Sequence, residues 1–482
     1  MRETWAKEPG DARLDGVDLH LDLSGTRVRA GLESALRDAI RAGRLRPGTR
    51  LPSSRTLAAD LGIARNTVAE VYSQLVAEGW LTAQTGAGTS VASPTSPVHG
   101  ELPPPFIRAS APRAAIAARP AESVPRYDLR AGVPDLSAFP RRAWLATARR
   151  VLAAAPDHLL GYPDPRGLPQ LRTALADYLA RARGVTADPA RIVVCAGFAH
   201  GLAGISRALR ATGAATLAVE AYGHQAHRDI AAVQGLRLRS LPVDGMGAVI
   251  GRAAGADAML LTPAHQFPLG VTLHPRRRRE AADWGGVVIE DDSDGEFRYD
   301  RQPVGALQTL APDRVIYAGT ASKSLAPALR LGWLVVPPRL LDAVAAQLTA
   351  GPSGLDQLIL AEFITSGGYD RQVRRARLAY RRRRDRLAAA LHRRRLRVTG
   401  IAAGLHAVLE LSGTGLEQAA LARAGQHGLA IEGLASYRAG RTGPEADGHG
   451  VRAGLVIGYG RPPEHAYTTA LARLCAILPD FR

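Results

Sequence analysis

The stretch from Asp313 to Val336, DRVIYAGTASKSLAPALRLGWLVV, limits what this chain can fold into more than any other. Val315, Ile316 and Tyr317 make a short apolar, β-rich run, and Gly319 and Thr320 end it. Lys323 follows in a loop of small residues, and Arg330 comes just before a second apolar run, Leu331 to Val336. A lone lysine after a strand is usually a solvated charge. Here Thr320, Ser322 and Arg330 surround one amine, and such a set can hold a phosphate while the amine meets a carbonyl. A lysine forms a Schiff base when it is desolvated beside other cationic groups and so is partly neutral. The cofactor that needs both a Schiff base and a phosphate clamp is pyridoxal 5′-phosphate (PLP).

Apolar runs of this kind recur from Tyr127 onward: Ile192 to Cys195, Thr216 to Val219, Ala258 to Leu261 and Val287 to Ile289. Helical patterns or loops separate them, which predicts an α/β domain with a mostly parallel sheet. Ligands of such sheets bind at the carboxyl ends of the strands. Gly197, Glu220, His265, Asp291 and Lys323 stand there. Asp291 directly follows GVVIE, and a carboxylate at that strand end can keep the pyridine nitrogen of PLP protonated. The plainer reading is an acidic loop, because Glu290, Asp292 and Asp294 are its neighbours.

A chain of 482 residues is too long for one compact core and predicts two or more domains. Its formal charge of +18 favours a polyanionic partner, although an arginine-rich coding bias gives the same number. Two cysteines, Cys195 and Cys475, cannot make a disulfide scaffold or a zinc site, and a reducing cytoplasm fits them. No metal site is assigned. The N-terminus, MRETWAKEPGD, has no apolar signal core, and no apolar run is long enough to span a bilayer. The expectation is a cytoplasmic protein without a membrane partner.

The first 92 residues carry a different pattern. Val28 to Leu45 read as an amphipathic helix with Leu32, Leu36, Ala39 and Ile40 on one face. Ser53 or Ser54 caps a short helix that ends at Leu61 and Gly62. A tight connection leads to a second helix with the stripe Val68, Val71, Tyr72, Leu75 and Val76. Two short strands, Trp80 to Gln84 and Gly88 to Ala92, follow, joined by Thr85-Gly86-Ala87. This is a helix-turn-helix with a β-wing, and double-stranded DNA is its expected partner. Arg65, Asn66 and Thr67 open the second helix with side chains that bind phosphate oxygens and base edges. Arg55 starts the preceding helix, and Gly86 lets the wing backbone approach a groove. Residues 93–125, with Pro103, Pro104 and Pro105, read as a semi-rigid Pro/Ala-rich linker, and residues 126–482 as the large domain. The run Arg371 to Arg386 reads as an amphipathic helix whose apolar residues are Tyr369, Val373, Leu378 and Leu387, with phosphate contact as an auxiliary role.

The motifs GYPDPRGLPQLRTALADYLARARGV, TPAHQFPLGVTL, IEDDSDGEFRYD and GTASKSLAPALRLGW, behind this winged helix, closely resemble MocR/GabR-type regulators of the GntR superfamily. The resemblance spans about Arg27 to Leu478 and implies a fold-type I, aminotransferase-like PLP domain. It implies that Lys323 is the Schiff-base lysine, that Asp291 pairs with the pyridine nitrogen, and that Arg330 binds the phosphate with Thr320 and Ser322 nearby. Gly197 begins a helix whose N–H groups can also hold phosphate. Tyr162, in GYPDPRG, matches a tyrosine that reaches the neighbouring subunit's phosphate, which implies a homodimer, with domain swapping as one arrangement. Arg438 best matches the arginine that receives a substrate or effector carboxylate, with Arg441 and Arg452 as the other candidates.

The sequence also departs from the family pattern. Ser293 stands where a tyrosine commonly bonds the PLP phenolate oxygen, and Phe198, Ala199 and His200 stand where a hydroxyl usually meets the phosphate. The family's EDPGY appears as EAYGH, with Tyr222 and His224 displaced; His224 or His200 is the residue that can compensate. These changes predict weaker PLP binding and at most weak transaminase activity. Three readings follow. The first is a regulator whose operator binding responds to PLP or to a PLP adduct of a small amine or amino acid. The others are an active aminotransferase with an accessory DNA-binding domain, and a regulator whose large domain no longer binds PLP.

Overall fold

Each apolar run of the large domain becomes a strand of one sheet. The computed structural model describes residues 12–14, 17–19, 28–84, 88–92, 106–107, 125–299, 304–349, 351–440 and 452–478. The chain divides into two compact units: residues 1–97 with 274–283 and 302–304, and the remainder.

In the first unit, three helices and a hairpin form the winged helix. They are α1 (Val28–Arg41), α2 (Ser54–Leu61), α3 (Arg65–Glu78), β1 (Leu81–Gln84) and β2 (Gly88–Val91). Ser53 is the cap of α2: its side chain accepts from the Thr56 N–H at 3.1 Å, one of the donors a helix start leaves unpaired. Gly62, at φ 65°, closes α2 in the left-handed conformation, so the chain turns at once into α3. Val68, Val71, Tyr72 and Leu75 of α3 are buried, while Val76 is half-buried at the edge of the stripe. β1 and β2 pair antiparallel, with Leu81 opposite Val91 and Gln84 opposite Gly88. Beneath them Arg37 clamps the buried Glu78 with two hydrogen bonds of 2.9 and 3.1 Å.

In the second unit the main sheet has eight strands. In chain order they are β3 (Phe106–Ile107), β4 (Ile192–Cys195), β5 (Thr216–Glu220), β6 (Arg237–Leu241), β7 (Ala258–Leu261), β8 (Val287–Asp291), β9 (Val315–Thr320) and β10 (Gly332–Val335). Their spatial order is β3-β6-β5-β7-β8-β9-β10-β4. The block β6-β5-β7-β8-β9 is parallel, and β10 runs antiparallel to both β9 and β4. The expected mostly parallel sheet is therefore present. β3 lies inside the stretch read as a bare linker, and it adds an edge strand antiparallel to β6.

Helices α4 (Arg141–Ala154), α5 (Pro169–Arg183), α6 (Phe198–Ala211) and α7 (Gln225–Val233) belong to this unit, as does the long α8 (Gly368–His392). Val373, Ala376, Tyr380, Arg383 and Leu387 form the buried stripe of α8, at steps of three and four residues. Leu378 is out of phase with them and 59% exposed, contrary to the sequence reading. Arg383 is buried: it pairs with Asp135 at 2.7 Å and Glu464 at 2.9 Å and donates to the carbonyls of Gly460 and Pro462. A smaller sheet adds β11 (Val398–Thr399), β12 (His406–Leu411), β13 (Glu432–Gly433) and β14 (Ala453–Gly458), with α9 (Thr414–Gln426) and α10 (Glu464–Ile477) packed near it.

The acidic run after β8 is sorted by strand alternation. Glu290 accepts from the Leu307 and Gln308 N–H groups at 2.7 and 2.9 Å. Asp292, two residues on, forms a two-bond pair with Arg183 at 2.6 and 2.9 Å and accepts from Tyr317 at 2.9 Å. Both side chains of the Arg183–Asp292 pair are essentially buried. Removing one partner of such a pair leaves an uncompensated buried charge. Asp292→Ala should therefore lower the unfolding free energy of this unit by about 3–5 kcal/mol, read as a shift in the urea midpoint by tyrosine and tryptophan fluorescence.

Candidate functional site

A cavity of about 170 Å³ opens at the carboxyl ends of β7, β8 and β9. Lys323, Asp291, Arg330, Thr320, Ser322, Gly197 and His224 all line it, so the structure brings seven of the sequence-predicted residues together. Tyr162 does not line it; its side chain is fully exposed. Arg438 does not line it either: it pairs by a backbone bridge with Tyr222 and is half-buried. The backbone N–H of Arg452 donates to the Tyr222 hydroxyl at 3.2 Å, and Arg441 lies outside the described residues.

One side of the cavity is built by glycine. Gly197, at φ 84°, ends the turn after β4 and precedes the first residue of α6. Gly332 begins β10, and a Cβ added there would come 2.9 Å from the Gly197 Cα. The two backbones can approach because Gly332 lacks a side chain, while Gly197 supplies the positive φ of the turn. Arg330 stands just before this contact in the left-handed conformation, φ 51°, which an arginine seldom adopts. A Cβ on Gly197 would lie 3.6 Å from the Arg330 guanidinium. Thr320 and Ser322 share a hydroxyl–hydroxyl hydrogen bond of 2.8 Å, and the Ser322 N–H donates to Thr320 Oγ1 at 3.1 Å. A guanidinium, two hydroxyls and the free N–H groups of a helix start make an anion cradle.

Lys323 donates from Nζ to the carbonyl of Gly132. Gly132 has φ 96°, and a Cβ there would sit 3.8 Å from Nζ, in the space beside the amine. Asp291, at the end of β8, is 9% exposed, and burial pushes its carboxyl up to about 6. Both donors of Ser293, the N–H at 3.1 Å and the hydroxyl, bond to Asp291 Oδ1. Ser293 therefore lines the cavity but spends its hydroxyl on the aspartate.

Residues that sequence reasoning left without a role complete the wall. Phe267 stacks on His224, with ring centroids 3.9 Å apart and planes 12° apart. His224 thus faces the cavity despite its displaced motif, and Phe198 lines it too. His200 instead accepts from the Ala196 N–H at 3.0 Å. His227, His265 and His406 also line the cavity, and burial lowers His406 to about 3 and His227 to about 4. Burial opposes the charge of Asp294, but the bond to His265 and the charge of Lys323 hold it well below the usual carboxylate range. The motif TPAHQFPLG carried the signal for His265 and Phe267. His406 had none, because it arrives from the first residue of β12.

In the winged helix, Arg55, Arg65 and Asn66 are exposed and Thr67 is half-buried. Residue Ala64 caps α3 without a side-chain bond, so the first N–H groups of α3 lie beside Arg65 and Asn66. Gly86 lies outside the described residues.

Residues 127–441 match the family model "Aminotransferase class I and II", and residues 29–91 match "Bacterial regulatory proteins, gntR family". The HTH-type pyridoxine biosynthesis transcriptional regulator PdxR of Corynebacterium glutamicum is 32% identical over 93% of this chain and 95% of its own. The probable rhizopine catabolism regulatory protein MocR of Rhizobium meliloti is 35% identical over 76% of this chain and 77% of its own. An archaeal alanine:glyoxylate aminotransferase superposes with a TM-score of 0.65 at 23% identity, over 73% of this chain and 90% of its own.

A buried carboxyl at the end of β5 makes a measurable signature. Burial raises Glu220 to about 7, although Thr262 and Gln266 donate to it at 2.6 and 3.2 Å. A raised carboxyl binds its proton more firmly in the folded state, so its contribution to stability falls as pH rises from about 4.5 to about 7. Glu220→Gln cannot ionise. Relative to the wild type it should gain on the order of 3 kcal/mol across that window, checked by urea melts at pH 5 and pH 8.

Proposed function

We propose that this chain, which belongs to the MocR-type regulators that join a GntR helix-turn-helix to an aminotransferase class I and II domain, is a DNA-binding transcriptional regulator controlled through the cavity around Lys323. The observation that carries this reading is the coexistence, in one chain, of an exposed recognition-helix start and a cavity whose donors match PLP. The donor set fits that cofactor. Arg330, Thr320, Ser322 and the helix start at Gly197 would hold its phosphate, Asp291 its pyridine nitrogen, and Lys323 its carbonyl carbon. PLP, when bound, supplies that carbonyl and an electron-withdrawing ring.

The remaining steps belong to the protein. Phe267 and His224 offer an aromatic floor, and Leu405 closes one side. Arg55, Arg65, Asn66, Thr67 and the wing at Gly86 would contact the operator, with Arg65 and Asn66 positioned to reach base edges. Tyr162, fully exposed, and Leu145 and Leu160, each more than half exposed, support a homodimer in which Tyr162 meets the partner. Exposed large apolar side chains of this kind mark interaction surfaces. A small amine or amino acid that reaches the cavity would be the effector, with Arg438 outside the wall as the candidate carboxylate receptor. Among the described residues no helix is long and apolar enough to cross a membrane, which supports the cytoplasmic assignment.

Two measurements test the reading. Lys323→Ala should abolish the visible cofactor absorption and the borohydride-fixed attachment of PLP while leaving the gel-filtration volume unchanged. Wild-type stoichiometry of fixed cofactor in that variant would remove Lys323 from its role. Arg65→Ala should weaken binding to the operator, sought in the intergenic region next to the gene, by roughly 5–150-fold, the equivalent of about 1–3 kcal/mol for a base contact. Fluorescence anisotropy at fixed salt reads this, and a chain starting at Tyr127 should show no specific binding. Rapid turnover of amino acids with a keto acid would instead favour the enzyme reading.

A further inference from the structure

The cavity holds a group of side chains that the cofactor reading does not use. His265 comes from the loop after β7, Asp294 from the loop after β8, and His406 from the first residue of β12. One ligating atom from each lies within 4.8 Å of the other two. Both imidazoles are buried, at 4% and 3% exposure, and their ring centroids are 5.0 Å apart. We propose that His265, Asp294 and His406 bind one divalent transition-metal ion of borderline softness, Zn²⁺ being the best match. The proposal is independent of the PLP assignment, and it departs from the sequence reading, which assigned no metal.

Three features of the geometry distinguish this group from an ordinary polar cluster. First, His406 Nε2 lies 2.9 Å from the carbonyl oxygen of Pro268, so Nε2 must carry the proton and Nδ1 presents its lone pair. A backbone carbonyl that fixes a tautomer in this way is the usual outer support of a metal-binding histidine. Second, two left-handed glycines let their backbones pass close to the His265 ring. A Cβ on Gly404 would lie 2.3 Å from its Cε1, and one on Gly270 would lie 3.4 Å from its Nε2. Third, His265 Nδ1 and Asp294 Oδ2 are 3.4 Å apart, beyond the usual 2.7–3.2 Å of an N–H···O bond. The contact is a long hydrogen bond, and it already sets the two atoms at nearly the separation of two ligands of one tetrahedral ion. Ligands at about 2.0–2.1 Å from a tetrahedral zinc stand about 3.3 Å from one another, so small side-chain rotations close the set.

Two imidazoles and one carboxylate suit zinc and its late first-row neighbours rather than magnesium or calcium. Three protein ligands leave a further position open, and it faces the cavity, where an amine or carboxylate of a small molecule can complete the shell. The ammonium of Lys323, in the same wall, opposes a cation. Asp294 and Asp291, in the same wall, supply the opposite charge.

The test uses the full-length protein, stripped with EDTA and dialysed. Titration with Zn²⁺ against a chromophoric chelator should give one ion per chain. His265→Ala and His406→Ala should each weaken binding by more than the roughly 10–100-fold that loss of an outer support costs. Asp294→Asn, which keeps the size of the side chain, should also weaken it. Lys323→Ala should retain the site, which separates this proposal from the cofactor reading; loss of zinc there would move the ligand set to the lysine and overturn the assignment. Co²⁺ added to the wild type should give the intense visible bands of a four- or five-coordinate ion, a readout that needs no variant to fold. No stoichiometric binding, only weak octahedral Co²⁺ bands, or unchanged affinity in a folded His265→Ala/His406→Ala double variant would each refute it.

Discussion

Side-chain alternation at the end of β8 is the constraint on which the large domain depends. Glu290 and Asp292 point to one face, where they hold the backbone N–H groups of Leu307 and Gln308 and the guanidinium of Arg183. Asp291, between them, points into the cavity. The side-chain period of a strand is two, so a slip of one residue would exchange the structural and the functional carboxylates. The Arg183–Asp292 pair resists that slip, because a slipped strand would leave Arg183 buried without its partner. One ion pair thus fixes which of three consecutive acids faces a ligand.

The second constraint is steric. Gly197 and Gly332 bring the start of α6 against the start of β10, and the antiparallel return from β9 to β10 forces Arg330 into a left-handed turn beside them. The groups proposed to hold a phosphate come from two distant parts of the sequence, and they meet because Gly332 has no side chain to strike the Gly197 backbone. Gly319 serves the same end: a Cβ there would lie 2.3 Å from Trp333 Nε1, so the β9–β10 ladder tolerates the tryptophan only opposite glycine.

Much of this was legible in the sequence, and the reasons differ by residue. The strands were visible because buried parallel strands are short continuous apolar runs, and Lys323 because its polar neighbours are local. The winged helix was visible because its stripe and its glycine stops are local too. Leu378 was misread because apolar character was judged without its phase: it lies between helical steps that bury Val373, Ala376 and Tyr380. Phe106 and Ile107 were missed because two residues have no periodicity. His406 and Gly404 were unreadable, since their meaning comes from a segment over a hundred residues away meeting the His265 ring.

Ser293 shows how a substitution flagged by its letter acquires a physical meaning only in three dimensions. From the sequence it was a missing phenol, too short to reach a phenolate oxygen. In the fold its two donors converge on Asp291 Oδ1. That convergence stabilises the ionised carboxylate against the burial that pushes it up to about 6, and it leaves Oδ2 for another donor. A tyrosine at 293 would keep the backbone bond but not the hydroxyl bond to its own neighbour. The electrostatic consequence runs opposite to the simple view of a lost contact. The proposed cofactor would forfeit a donor at its phenolate oxygen, while the carboxylate facing its ring nitrogen is the better supported for it. A hydrogen bond to a charged group is roughly twice as strong as one between neutral groups. With the proposed cofactor bound, this arrangement would favour holding a cationic ring over tuning its chemistry, the balance that a sensor needs and a fast transaminase does not.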